Sequence, residues 1–283
     1  MFTRVISAML KFAAVLGCLM VLPASHALAV EKGVITFTTA PTQSVKETQR
    51  IYGPLVDYLA KVSGKDIKLV PARNFLEYTS KMRKGKYDIV FDGPHLVSWR
   101  MDKVNHVPLA RLPGELVFVA AVKDGVGVTD IKQLIGKKVC AVNSPNLATL
   151  TVLDLFPNPA RQPLIISVRS FKEAFQCMKS GRGMAAFLPV KFWNKFTKKG
   201  KTGGMSIVYS SDKAPLPTRT FSVSNRLDEE TQDKLKHAFL NTNGVEGAKP
   251  LLERFRSKSF VPATEQEFEG LSRLLSSVWG FHE

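Results

Sequence analysis

Beyond residue 33 the chain alternates short apolar runs with longer amphipathic ones. Val34–Ala40 reads as a strand. A Pro-Thr-Gln-Ser turn follows, and then Ile51, Leu55, Leu59 and Val62 recur on one helical face until Gly64 stops it. Ile67–Pro71 predicts a second strand. Phe75–Lys84 predicts a helix striped by Leu76, Thr79 and Met82, with Gly85 as its end, and Tyr87–Phe91 a third strand. Strands separated by helical patterns of this length are the signature of a parallel, doubly wound sheet.

After a long apolar strand at Glu115–Val122 and a polar, Gly-rich stretch at Lys123–Gly127, the alternation restarts. Lys138–Val142, Leu164–Val168 and Gly183–Leu188 predict strands. Leu147–Phe156 and Phe171–Lys179 predict helices, the second with Phe171, Ala174, Phe175 and Met178 at i, i+3, i+4 and i+7. Ser206–Tyr209 and Thr220–Ser224 predict strands around the turn Ala214-Pro215-Leu216-Pro217, and three helices, about 228–241, 245–256 and 264–279, close the chain. The expected fold is therefore α/β with two lobes. Lobe 1 comprises 30–121 and 222–283, and lobe 2 comprises 122–221. Ligand is expected where helix N-termini face the carboxyl ends of the strands. Hinges are expected near Val119–Lys123 and Thr218–Val223.

The first 29 residues stand apart. Arg4 and Lys11 precede an apolar run, Phe12–Leu22, and Ala27-Leu28-Ala29 supplies small residues, which is the pattern of a secretory signal peptide cut after Ala29. The run falls short of the ~20 residues of a spanning helix. A lipoprotein box at Val15–Cys18 is the alternative, disfavoured because the apolar run continues past the cysteine. Removing the leader takes the net charge from +16 to +14, which suits an anionic ligand, an anionic surface or a polymer. Cys140 and Cys177 remain, equally readable as two buried thiols or one disulfide. The five histidines (26, 95, 106, 237, 282) are scattered and give no zinc spacing.

Several stretches match a known family in order: Tyr52-Gly53-Pro54-Leu55-Val56-Asp57-Tyr58-Leu59 with Ser63-Gly64, the run Lys84-Gly85-Lys86-Tyr87-Asp88-Ile89-Val90-Phe91-Asp92-Gly93-Pro94, Ile131–Val139, and Phe171–Gly183. On these the chain resembles the phosphate/phosphonate-type substrate-binding proteins of ABC importers, in the type 2 periplasmic binding protein superfamily. The resemblance implies a periplasmic receptor that closes two lobes on a small anion and delivers it to a permease. It departs from the family where relatives carry a Pro-Asn-Ser-Thr-Ser-Gly turn that holds the phosphonate. Here that turn reads Pro145-Asn146-Leu147-Ala148-Thr149-Leu150, and a family Ser-His pair is replaced by Ser170-Phe171.

Each candidate ligand contact has an ordinary structural role beside it. Thr39 and Thr42 can bind ligand or cap a helix. Asp92 and His95 form a strand-to-helix turn and lack the nucleophile or metal set that catalysis requires. Asn143, Ser144, Asn146 and Thr149 form the equivalent lobe 2 turn, whose backbone N–H groups can cradle an anion. Arg169 and Arg219 can clamp an oxyanion or be solvated. Tyr52 and Trp193 can wall a cleft or fill a core. The basic run Lys195–Lys201 offers only Phe196 for base stacking, so nucleic-acid binding is not expected. The reading is a monomeric binding protein without cofactor, metal or enzymatic activity. Its partners are a small anion and an ABC permease, with a sensor kinase or a polyanion or membrane surface as alternatives.

Overall fold

A computed structural model describes residues 33–197 and 203–281. The proposed leader and its cleavage point, Cys18, His282 and Lys198–Lys201 lie outside the described residues. The first half of the chain runs β1 (Ile35–Thr38), α1 (Val45–Ser63), β2 (Ile67–Leu69), α2 (Phe75–Arg83), β3 (Ile89–Asp92), α3 (Pro94–Val104) and β4 (His106–Arg111). It then passes through β5 (Glu115–Leu116) into β6 (Phe118–Lys123). The second half runs β7 (Lys138–Val142), α4 (Leu147–Leu153), β8 (Leu164–Val168), α5 (Phe171–Lys179), β9 (Ala185–Pro189), α6 (Val190–Phe196) and β10 (Met205–Ser210). It returns through β11 (Leu216–Pro217) to β12 (Thr220–Ser224), α7 (Glu229–Leu240), α8 (Lys249–Phe255) and β13 (Val261–Pro262).

Two sheets result, one in the order β13-β4-β12-β3-β1-β2 and one in the order β10-β6-β9-β7-β8. Parallel pairing joins β1 to β2 and β3, and β7 to β8 and β9; β4, β6, β10, β12 and β13 run antiparallel to their neighbours. The strand pairing places β6 wholly in the second sheet and β12 wholly in the first, so the chain changes sheets within 112–117 and 211–219. There β5 and β11 form a short ribbon, Leu216 opposite Leu116 and Pro217 opposite Glu115.

Local chemistry fixes the helix ends. Ser44, Asn74, Ser170 and Asp228 each accept a backbone N–H of the first turn of α1, α2, α5 and α7, and Gly64 ends α1 at φ 68°. Pro94 opens α3, where a missing N–H costs nothing. One core packs α1, α7 and α8 on the first sheet through Ile51, Leu55, Leu235, Phe239 and Leu251. The disulfide Cys140–Cys177 ties β7 to α5 and resolves the open cysteine question.

Three local expectations are corrected. The segment 264–279 is not an α-helix but two 3-10 turns, Glu265–Glu267 and Leu271–Leu275, separated by Gly270 at φ 69°. The run Glu115–Val122 splits between the β5 ribbon and β6. The strand β4 is absent from the elements expected above; it pairs with β12 through a register shift beside Pro108, as a strand proline requires.

Candidate functional site

Because β1 and β3 are parallel, the turns that follow them lie at one end of the first sheet, and β12 brings Arg219 to the same end by pairing Thr220 with Asp92. Four of the predicted residues meet here. The Thr39 hydroxyl donates to the Phe91 carbonyl (2.7 Å), and Arg219 Nη1 lies 3.5 Å from Thr39 Oγ1. The Arg219 guanidinium sits over the rings of Phe91 and Phe255, 5.6 and 5.7 Å from their centroids. The arginine is half-buried, a setting in which its charge is poorly solvated. The Tyr52 hydroxyl is buried beside Thr39 with no hydrogen-bond partner of good geometry. Burial pushes its phenol above the ordinary range, against the opposing field of Arg219.

His95 reaches across to the other lobe. Its Nε2 lies 3.1 Å from the Pro145 carbonyl, so Nε2 carries the proton and donates, and Nδ1 is left buried without a partner. Burial lowers its pKa to about 4; the Pro145 bond and Asp92 oppose the shift and Arg219 reinforces it. The imidazole is therefore neutral at pH 7. Gln43, in the turn before α1, adds one more buried acceptor, Oε1, without a partner. Polar atoms left unpaired inside a protein are costly. Here Tyr52 Oη, His95 Nδ1 and Gln43 Oε1 all belong to the elements flanking the ends of β1 and β3.

Asp92 takes a different part. Fully buried, it accepts from the Ala40 N–H (2.8 Å), from the Tyr78 hydroxyl and from Arg100 Nη2 (3.3 Å). Arg100 is equally buried, donates to the Tyr78 hydroxyl (2.7 Å) and faces the rings of Tyr78 and Tyr87. The carboxylate thus holds an internal cation. Neither Arg100 nor Tyr78 was a predicted site residue, although an aspartate at a strand end eight residues before an arginine on the following helix was a readable signal.

On the second sheet, Asn143 and Ser144 are exposed, and Asn146 caps α4 by accepting from Ala148 N (3.1 Å). Thr149 is buried, and its hydroxyl is committed to the Val142 carbonyl (2.7 Å). Leu147, Ala148 and Leu150 are buried in one cluster with Ala40, Leu96 and Trp99 of the first lobe and Leu274 and Leu275 of the C-terminal segment. The lobe 2 turn therefore meets lobe 1 through apolar side chains and the His95–Pro145 bond. Arg169 is exposed at the end of β8, with its backbone N–H on Glu173 (3.1 Å). Thr42 is exposed. Trp193 lies on α6 in the core with Val119, Phe175 and Met178, not on a cleft wall. The helix α6 turns the indole inward.

Residues 37–268 match the family of periplasmic substrate-binding proteins of phosphonate ABC transporters. The chain is 22% identical to the phosphate-import protein PhnD of Mycolicibacterium smegmatis, over 84% of this chain and 83% of that protein. Its fold is similar to PhnD1 of Prochlorococcus marinus in complex with methylphosphonate (TM-score 0.65, 16% identity, 88% of this chain and 99% of that one). It is likewise similar to XAC2383 of Xanthomonas citri bound to ATP (TM-score 0.71, 15% identity, 88% and 99%). The mixed α/β fold with two sheets is that of the two-lobed type 2 periplasmic binding proteins. With most of its length matched in order, the chain belongs to the phosphonate-type periplasmic substrate-binding proteins of ABC transporters.

Proposed function

We propose that this protein is an exported receptor for a small phosphate- or phosphonate-like oxyanion, with Arg219 supplying the charge that anchors it, and that it hands the ligand to an ABC permease. The observation that carries the reading is the half-buried Arg219 beside Thr39, together with the buried, unpartnered Tyr52 hydroxyl. A guanidinium and a phenol match the oxygens of such an anion. The neutral His95 can turn either nitrogen to the ligand once the bond to Pro145 is released. Asn143, Ser144 and the N–H groups after Asn146 are the lobe 2 contribution. The leader and the cut after Ala29 fit an exported protein. We place the hinge in the crossings at 112–117 and 211–219, where the β5–β11 ribbon is the only strand pairing among the described residues of those segments. The function is binding without turnover, since Asp92, the acid of the Asp92–His95 pair, is occupied by Arg100.

The test is a thermal-shift series on ligand-depleted protein with phosphate, phosphite, methylphosphonate, aminoethylphosphonate, sulfate and ATP. A ligand at ~100 times its Kd adds ~2.7 kcal/mol, or about 5–10 °C for a chain of this size. One oxyanion is expected to give this shift, and Arg219→Ala to remove most of it. No shift with any of the six would overturn the oxyanion reading. A full shift in Arg219→Ala would move the anchor to another cation, Arg169 first.

A further inference from the structure

Charge is unevenly divided along the chain. Residues 118–210 hold 14 Lys and Arg against four Asp and Glu, whereas 33–117 and 211–281 together hold 23 against 18. Ion pairing sharpens the contrast. The ion pairs of the described residues, such as Lys65–Asp228, Arg111–Glu267, Arg226–Asp88 and Arg273–Asp154, all take their cation from the second group. Among the described residues, no cation of 118–210 takes part in these ion pairs.

The register gathers six of them at one end. The strands β7, β8 and β9 are parallel, so their first residues share an end, and β6, antiparallel to β9, finishes there. Lys138 opens β7 opposite Leu164, and its carbonyl accepts from Met184 N (2.7 Å), which sets Arg182 beside it. The Lys137 carbonyl accepts from Leu164 N (2.9 Å) and the Gln162 carbonyl from Gly136 N (3.0 Å), which sets Arg161 alongside. Lys123 closes β6 next to the Val122–Ala185 pair, and Lys179 ends α5 just before Arg182. All six are exposed. In the order β6-β9-β7-β8 they span three strand spacings, about 15 Å. The acidic residues nearest these cations in sequence are Asp124, Asp130, Asp154 and Glu173; Asp130 caps the turn at 131–134, Asp154 pairs with Arg273, and Glu173 lies in the first turn of α5, at the other end. Among the cations lies an exposed leucine, Leu164, with 57% of its surface open. This end is opposite the one that carries Asn143, Ser144 and Arg169.

We infer that this basic end of the second lobe is a docking surface for an anionic phospholipid bilayer, which would hold the receptor at the membrane while leaving its ligand turns free. A two-dimensional array of unpaired cations around one exposed apolar side chain suits headgroup phosphates above an acyl layer. A linear polyanion would be served by a groove with stacking aromatics, and the exposed large hydrophobic here is Leu164. The inference does not depend on which ligand the receptor takes.

The test is co-sedimentation of the chain lacking its first 29 residues with phosphatidylcholine vesicles containing 30% phosphatidylglycerol. Wild-type protein is expected to bind them at 50 mM NaCl, to release at 500 mM and to ignore pure phosphatidylcholine. The triple variant Lys137→Gln/Lys138→Gln/Arg182→Gln should bind about a hundredfold more weakly. Lys46→Gln/Lys61→Gln/Lys236→Gln removes the same charge from exposed positions of the first lobe and should change binding less than about threefold. An unchanged Tm for both variants shows that the fold is intact. Equal losses in the two variants, or no dependence on phosphatidylglycerol, would overturn the inference. So would retention on heparin at a salt concentration that frees the vesicles, which would assign the surface to a linear polyanion.

Discussion

Replacing Asp92 separates a structural carboxylate from a ligand-binding one. Asp92 and Arg100 are both fully buried and meet through Nη2, and Arg100 Nε and Nη1 have no hydrogen-bond partner. Removing one member of a buried pair strands the other charge, at a cost of about 3–5 kcal/mol. In Asp92→Ala the Ala40 N–H also loses its acceptor, a further cost of about 1–3 kcal/mol. Against a total stability of about 5–15 kcal/mol, the alanine variant approaches the unfolding threshold. The better probe is Asp92→Asn, whose amide oxygen can keep the Ala40 bond while the charge goes. Its Tm is expected to fall by about 6–20 °C, from ~3–5 kcal/mol at 2–4 °C per kcal/mol. Adding Arg100→Met should recover most of that loss, because a buried pair replaced by apolar volume is often neutral. Oxyanion affinity in Asp92→Asn should stay within about threefold of wild type. The reasoning is refuted if Asp92→Asn keeps its Tm within 2 °C (about 1 kcal/mol) and loses ligand affinity tenfold. That result would put the carboxylate in the binding site.

Three other outcomes follow from the same structure. Burial first of all lowers His95 to about 4 and His106 to about 3. From an unfolded value of 6.5, the unfolded chain binds more protons as pH falls below about 6.5. The stability is present above that pH and is lost down toward pH 4 and 3, in total on the order of 3 kcal/mol for His95. A Tm series from pH 8 to pH 4 should fall most steeply below pH 6.5, and His95→Gln should flatten it; an unchanged slope would refute the assignment. Reducing Cys140–Cys177, which closes a loop of 37 residues, should cost about 4 kcal/mol, read as a Tm drop under dithiothreitol. Gly183 lies against that bond: a Cβ there would stand 2.4 Å from Cys140 Sγ and 3.3 Å from the Lys138 carbonyl. Gly183→Ala should therefore lower Tm by several degrees in the oxidised protein, through an overpacking cost of about 1–3 kcal/mol, and an unshifted melt would contradict that contact.

The sequence by itself determined the elements whose causes are local. Alternation and helical stripes placed β1 to β3, β7 to β9, and the helices α1, α2, α5 and α7, because a period of two or 3.6 is imposed by neighbours a few residues away. Ser44, Gly64 and Pro94 marked boundaries for the same reason. Family membership was legible from motifs in order, and the meeting of Thr39, Tyr52, His95 and Arg219 was half legible, since each had been singled out without its neighbours being known. Only the tertiary structure decided what depends on residues far apart in the chain. Pairing of β12 with β3 carries Arg219 to Thr39, 180 residues away. Packing turned Trp193 into the core, committed Asp92 to Arg100, closed Cys140 on Cys177, and buried Leu147 and Ala148 against the first lobe. A side chain's chemistry is written in its residue type, but whether it faces water, a ligand or another charge is set by the surfaces that folding brings against it.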